Sequence, residues 1–156
     1  MADRTTPRKL GAKRLQHGAP KGLLARLALP KEPLAAHRII SGGISTVVIF
    51  KIAADFDIET AAVCRWAGID RSTFKRRDQS TEKRLSVGQG AAVYGMARAM
   101  DAALEMFDGD KQKALIWLKA PARALGGQAP VELLSTPAGA DAVFDLITRI
   151  EHGVVS

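Results

Sequence analysis

Residues 60–77 read Thr-Ala-Ala-Val-Cys-Arg-Trp-Ala-Gly-Ile-Asp-Arg-Ser-Thr-Phe-Lys-Arg-Arg, and this stretch predicts two short helices joined by a tight turn. Cys64 is the small residue at which the second helix crosses the first. Gly68 follows four positions later and is free to take the positive φ that the turn requires. Asp70 or Ser72 is placed to cap the second helix. The apolar residues that would lock the two helices together are Val63, Ala67, Ile69 and Phe74. The stretch therefore predicts a helix-turn-helix.

The second helix of this motif is strongly basic, which favours an interaction with nucleic acid. The N-terminal residues of such a helix are those expected to reach base edges. Arginine, serine and threonine hydrogen-bond bases or phosphates, and lysine pairs with phosphate. The predicted DNA-binding residues are Arg71, Ser72, Thr73, Lys75, Arg76 and Arg77. The alternative is a plain helical segment with a solvated basic face. Arg77 also stands where many such motifs place an apolar residue. This leaves open a shortened recognition helix, or a fold kept for dimerisation with weakened operator binding.

Outside the motif the chain has helical periodicity and no alternating strand pattern. An apolar helix is predicted over Val47–Phe56, and a long helix over Gly90–Phe107. The long helix has apolar residues three and four positions apart. Further helices are predicted at about 111–118, at 131–134 and from Thr136-Pro137 to His152, with Gly153 as the stop. These patterns predict an all-α protein, with an N-terminal helix-turn-helix domain followed by a small C-terminal helical domain.

The charge of the chain is concentrated at its N-terminus. Residues 1–38 contain nine Lys or Arg and two Asp or Glu, a net charge of +7 that equals the formal charge of the whole chain. We expect residues 1–37 to be a largely disordered basic extension, with a short helix at Leu23–Leu29. Such an extension either attracts phosphate or an acidic partner, or only keeps the chain in solution. Residues 38–84 would form the helix-turn-helix domain, which we expect to dimerise, and residues 85–156 the C-terminal domain.

Several classes of function have no support in the sequence. Cys64 is the single cysteine, which rules out an internal disulfide and is typical of the cytoplasm. No apolar run approaches the roughly 18 residues of a membrane-spanning helix, and no signal peptide is recognisable. The three histidines, His17, His37 and His152, lack metal-ligand spacing. We expect neither enzymatic activity nor a cofactor.

The last third of the chain contains a distinctive series of short motifs. It reads Ala-Leu-Gly-Gly-Gln-Ala-Pro-Val-Glu-Leu-Leu at 124–134, Thr-Pro at 136–137 and Arg-Ile-Glu-His-Gly-Val at 149–154. This order of a Leu-Gly-Gly turn, a proline-led short helix ending in two leucines, and a closing helix resembles the C-terminal domain of the Xre/MbcA/ParS antitoxins. The preceding helix-turn-helix completes the resemblance.

The resemblance implies the antitoxin of a type II toxin–antitoxin pair. The usual toxin of this family carries a RES domain, related in fold to ADP-ribosyltransferases, and consumes NAD. The C-terminal domain would block the toxin's NAD pocket, and the N-terminal domain would bind operator DNA. Carried over to this sequence, the toxin-binding residues are Arg149, Glu151, His152, Gly153, Val154 and Val155.

Two other functions remain open on the sequence, a stand-alone transcriptional repressor whose C-terminal domain only dimerises, and an interaction protein whose motif no longer binds DNA. A homodimer is expected in the antitoxin interpretation, because the two DNA-binding motifs of a dimer match the two half-sites of a palindromic operator. The apolar helix Val47–Phe56 is the first candidate for the dimer surface. Trp66 and the long helix at 93–107 are the next.

Overall fold

The computed structural model describes residues 21–154, which form short and medium-length helices around one long helix. The helices are α1 Leu23–Arg26, α2 Pro33–Gly42, α3 Val47–Phe56, α4 Thr60–Trp66, α5 Arg71–Gln79, α6 Val87–Met106, α7 Lys111–Lys119, α8 Pro130–Leu133 and α9 Pro137–Glu151. Within these residues there is no strand, only an isolated bridge between Ser45 and Arg84. The predicted all-α class is confirmed. No helix in the described range is long and apolar enough to span a membrane.

Helix α6 is the centre of the fold. Its start is fixed by a capping box, in which Ser86 Oγ accepts from Gln89 N–H and Gln89 Oε1 accepts from Ser86 N–H. The predicted apolar stripe faces the core, and α6 packs against α1, α2, α7 and most extensively α9. A Cβ placed on Gly95 would lie 3.2 Å from the Cβ of Ala140. The two longest helices therefore approach closely where α6 has a glycine and α9 an alanine.

The prediction that residues 1–37 are largely disordered is wrong for residues 21–37, although the short helix expected at Leu23–Leu29 is present as α1. Here α1 and the first half of α2 are formed, and Leu23 and Leu24 are fully buried. The buried carboxylate of Asp101 on α6 accepts hydrogen bonds from the N–H groups of Leu23, at 2.6 Å, and Leu24, at 3.3 Å. The leucines of this segment pack against α6, which lies far along the chain. The composition of the segment itself, with its Pro and Gly residues, does not reveal this contact. Residues 1–20 lie outside the described residues.

A partly buried cluster of ion pairs joins α1, α3 and α7. Asp55 on α3 accepts two hydrogen bonds of 2.8 Å from the guanidinium of Arg26 and one of 3.1 Å from Lys111 Nζ. Burial by itself would raise the pKa of Asp55. The hydrogen bonds and charges of Arg26 and Lys111 outweigh that effect and lower the pKa below its ordinary value. The ionised form of Asp55 is therefore favoured by folding.

Asp55→Asn is expected to lower the free energy of unfolding at neutral pH by roughly 1.5–3 kcal/mol, the usual worth of hydrogen bonds to charged groups. The pKa of Asp55 is depressed in the folded state. Its contribution is therefore complete above the ordinary aspartate pKa of about 3.9 and is lost as the pH falls through the lower folded value. Urea unfolding over a series of acidic pH values should show the difference between wild type and variant shrinking. A difference that does not change with pH would contradict the role of the ionised carboxylate.

Candidate functional site: the basic helix α5 and the end of α9

The helix-turn-helix predicted from residues 60–77 is present as α4, a tight turn and α5. The turn is closed by hydrogen bonds from Gly68 N–H to Arg65 O, at 3.1 Å, and from Ile69 N–H to Cys64 O, at 2.8 Å. Gly68 has φ +68°, the conformation for which a glycine was expected. Cys64 and the apolar residues predicted to lock the motif are buried. Sequence and structure agree on this motif in detail.

Asp70 is the residue that caps α5. Its carboxylate accepts from the N–H groups of Ser72, at 3.1 Å, and Thr73, at 3.2 Å, and also from the hydroxyl of Ser72. The hydrogen bond from the Ser72 side chain is the main cause that lowers the pKa of Asp70. The start of α5 is thus already occupied by a carboxylate, and the Ser72 proton is engaged. These capping bonds do not involve the basic side chains of α5.

The outer face of α5 is basic and open. Of the six predicted DNA-binding residues, Arg71, Ser72, Lys75, Arg76 and Arg77 are exposed and Thr73 is half-buried. Phe74 is the one buried residue of the helix, and its ring lies 5.5 Å from that of Phe50. Among residues 21–154, no carboxylate lies within ion-pairing distance of the Arg71, Lys75, Arg76 or Arg77 side chain. These four cations are therefore available to a polyanion.

The helix-turn-helix packs directly against the C-terminal part of the chain. A Cβ on Gly68 would lie 3.0 Å from the Ser135 Cβ and 3.3 Å from its carbonyl oxygen, so the motif's turn touches the α8–α9 connection. The ammonium group of Lys119, at the end of α7, lies 5.9 Å from the centre of the Trp66 ring. Trp66 is itself buried, so this tryptophan helps to join the two parts of the chain.

The last helix starts and ends as its sequence predicts. Thr136 Oγ1 accepts from Gly139 N–H at 3.1 Å, and Pro137 occupies the first helical position. At the other end Gly153 has φ +69°. Its N–H donates to Ile150 O at 3.1 Å, while the N–H of Val154 donates to Arg149 O at 2.8 Å. This pair of bonds is the Schellman arrangement that ends helices at a glycine. The prediction of Gly153 as the helix stop is confirmed.

The predicted toxin-binding residues lie together at the solvent-facing end of α9. Those exposed are Arg149, Glu151, His152, Gly153 and Val154; Val155 lies outside the described residues. The apolar stripe of α9 begins in the core with Val143 and Ile147, continues through half-buried Ile150 and reaches Val154, whose exposed fraction is 63%. The stripe therefore extends beyond the surface that residues 21–154 cover.

The Gly126-Gly127 pair forms a turn, as its sequence context predicts. Both residues have positive φ, +69° and +83°. Gly126 N–H donates to Arg123 O and Gly127 N–H to Ala122 O, each at 3.0 Å. A short 3-10 helix at Arg123–Leu125, which periodicity does not reveal, leads into this turn and packs against α9.

Two family models match the chain, in the order in which its two parts occur. The antitoxin Xre-like helix-turn-helix domain matches residues 35–98, and the antitoxin Xre/MbcA/ParS C-terminal toxin-binding domain matches residues 102–153. Antitoxin Xre of Yersinia enterocolitica is 38% identical over 117 residues, which cover 75% of this chain and 78% of that protein. Antitoxin Xre of Photorhabdus laumondii is 36% identical over 118 residues, 76% of this chain and 79% of that protein. The chain belongs to the antitoxin Xre family.

The two regions matched by the family models meet inside α6. The helix-turn-helix match ends at residue 98 and the toxin-binding match begins at residue 102. The division between the two domains expected from the sequence lies earlier, at residues 84–85. Because α6 runs unbroken from Val87 to Met106, one helix contributes core residues to both parts of this family's architecture.

Proposed function

We propose that this antitoxin blocks the active site of a RES-domain, NAD-consuming toxin with the end of α9, and that α5 binds operator DNA to regulate its own operon. The observation that supports the first part most strongly is the exposed apolar end of α9. The open basic face of α5 supports the second. Co-expression with the product of the adjacent reading frame, followed by size-exclusion chromatography of the pair, tests whether the two proteins form a stable complex.

The end of α9 has the chemistry of a plug for a cleft. Val154 and half-buried Ile150 offer apolar surface that gains free energy when a partner covers it. Glu151 has no cation within ion-pairing distance in the described part of the chain, so it is available to an arginine that would otherwise hold a phosphate of NAD. Arg149 requires an acidic partner if the toxin buries it, because an unpaired buried charge is costly.

Val154→Asp and Glu151→Arg are each expected to weaken toxin binding by about a hundredfold, the size of an interface hot spot. Cells that co-express toxin and variant should then stop growing and lose NAD. The matched control is Val87→Asp. Val87 is 55% exposed and lies at the start of α6, outside the toxin-binding match, where a carboxylate suits the helix dipole. If both α9 variants protect cells as well as Val87→Asp does, the end of α9 is not the plug.

Arg71→Ala is expected to weaken binding to the DNA upstream of this chain's own reading frame by about 10- to 100-fold, because one specific base contact is worth about 1–3 kcal/mol. Lys113→Ala on α7 removes a similar exposed charge away from α5 and serves as control. A gel shift against scrambled DNA at several salt concentrations separates the contributions. Binding that falls steeply with salt but ignores sequence would assign the affinity to non-specific charge. If Arg71→Ala and Lys113→Ala bind the upstream DNA with equal affinity, α5 does not contact the bases.

A homodimer remains part of the proposal, with a smaller candidate surface than the sequence suggested. Most apolar residues of α3 lie in the core of the chain itself, namely Val48, Ile49, Ile52, Ala53 and Phe56. Trp66 and the α6 stripe are buried as well. The large apolar side chains that α3 leaves exposed are Val47 and Phe50, at 44% and 41%. Any dimer through α3 is therefore expected to use these two residues.

A further inference from the structure

Thr46 is a fully buried polar residue outside the helix-turn-helix stretch at 60–77. Among residues 21–154, the buried polar or charged residues are Thr46 and Asp101. Asp101 is accounted for by the start of α1, whose N–H groups it accepts. Thr46 lies elsewhere, directly before α3, at the point where the end of α5 returns to the core.

The Thr46 side chain is bonded to the last turn of α5. Its Oγ1 lies 2.9 Å from Asp78 Oδ1, to which it donates, and 3.2 Å from the carbonyl oxygen of Lys83. The backbone N–H of Thr46 also donates to Lys83 O, at 2.9 Å. Since the hydroxyl has a single proton, the shorter contact to the carboxylate is the main side-chain bond. One residue thus binds both α5 and the loop that follows it.

Neighbouring backbone contacts strengthen the same junction. Leu85 N–H donates to Ile44 O at 2.8 Å, and the guanidinium of Arg84 donates to Gly42 O at 2.6 Å. The segment after α5 is therefore held along residues 42–46. This arrangement makes the junction a rigid support for the C-terminal end of α5.

The orientation of α5 depends on few contacts. Phe74 is its single buried residue and lies in the first half of the helix, so apolar packing holds the C-terminal half of α5 only weakly. Asp78 lies four residues after Phe74, on the same face of the helix. The bond from Thr46 to Asp78 therefore supplies a second point of attachment, one turn away from the first. Two attachments on one face set which side chains point outward.

We propose that Thr46 and Asp78 are positioning residues for DNA recognition, which hold α5 at the tilt and rotation that bring its outer basic face to the bases. Neither residue needs to touch DNA. This inference rests on the proposed binding of operator DNA by α5. Because Asp78 is half-buried, water reaches its carboxylate when the Thr46 hydroxyl is removed, so folding loses little. The main loss falls on the alignment of α5.

The test compares Thr46→Val, which removes the hydroxyl at nearly constant volume, with Thr46→Ser, which keeps it. The readout is the ratio of affinities for the DNA upstream of this chain's reading frame and for a scrambled duplex of equal length. Circular dichroism sets a temperature at which every variant is folded. Thr46→Val is expected to lower the ratio about tenfold, the size of one lost base contact when α5 is misaligned. Thr46→Ser should keep the wild-type ratio, and both should protect cells from the toxin.

Asp78→Ala tests the same bond from the α5 side if Thr46→Val does not fold, and its ratio should fall by a similar factor. Arg71→Ala is the reference variant for loss of sequence-specific DNA binding. The positioning role alone would be overturned if folded Thr46→Val kept the wild-type ratio while Arg71→Ala lowered it. If Thr46→Val does not fold, the same comparison is made with Asp78→Ala. Parallel loss of toxin protection and DNA binding would show a merely structural role. A wild-type protein without preference for the upstream DNA would overturn both this inference and the proposed operator binding.

Discussion

Gly139→Ala is expected to destabilise the protein by about 3 kcal/mol or more, the upper range for overpacking a core. Gly139 lies in the first turn of α9 and contacts the last residue of α8, Leu133. A Cβ there would overlap the carbonyl oxygen of Leu133 and lie 2.8 Å from its carbonyl carbon and 3.1 Å from Thr136 Oγ1. The obstructing atoms belong mainly to backbone, so no side-chain rotation relieves the overlap. Helices α8 and α9 would have to separate.

Separation of α8 from α9 would disturb both the packing of the core and the position of the end of α9, the proposed plug. Leu134, in the connection between these helices, is fully buried, and α9 forms the largest helix–helix contact of the fold with α6. We therefore expect Gly139→Ala also to lose toxin protection, because the end of α9 is no longer held in place.

The matched control for this prediction is Gly88→Ala. Gly88 is in the first turn of α6, and a Cβ there meets no atom within 4 Å. Alanine is favoured over glycine in helices by up to about 1 kcal/mol, so this variant should be equally stable or more stable than wild type. Urea unfolding followed by circular dichroism measures both. Similar unfolding midpoints for Gly139→Ala and Gly88→Ala would show that the α8–α9 corner has room for a methyl group.

Ile49→Glu is expected to prevent folding, although Ile49 lies on the helix that the sequence offered as the first candidate for the dimer surface. The Ile49 side chain is fully buried in α3, in the middle of the core. A carboxylate there loses its hydration without a partner, and the cost of several kcal/mol is comparable with the whole stability of a small protein. Circular dichroism should show loss of helix. A folded, monomeric Ile49→Glu would contradict the buried position.

Val47→Glu is the control for Ile49→Glu and also tests the dimer proposed through α3. Val47 is the first residue of α3 and 44% exposed. A glutamate suits this position because it interacts favourably with the helix dipole. The variant should fold with wild-type stability and give monomers in light scattering. A folded dimer of wild-type size would exclude Val47 from the subunit contact and assign any dimer to another surface.

Local signals in the sequence determined most of the helices and several of their ends, although α2 and the start of α6 at Val87 were not predicted. Gly68 in the turn, Thr136-Pro137 at the start of α9 and Gly153 at its end act through neighbours within a few residues, and each is found where it was predicted. The apolar stripe of α6 was visible for the same reason, because positions three and four apart share one face of a helix. The basic outer face of α5 and the charged end of α9 could likewise be read from spacing alone.

The tertiary structure decided which surfaces are covered. The leucines at 23–29 are core because α6 and the Asp101 carboxylate, about 77 residues further along the chain, receive them. Gly139 has no room because α8 ends against it, and Thr46 is buried because α5 returns to the start of α3. Most apolar residues of α3 pack in the core of the chain itself. Burial depends on contacts between distant segments, and residue periodicity reveals only that a face is apolar, whereas the packing of the whole chain determines what lies against it.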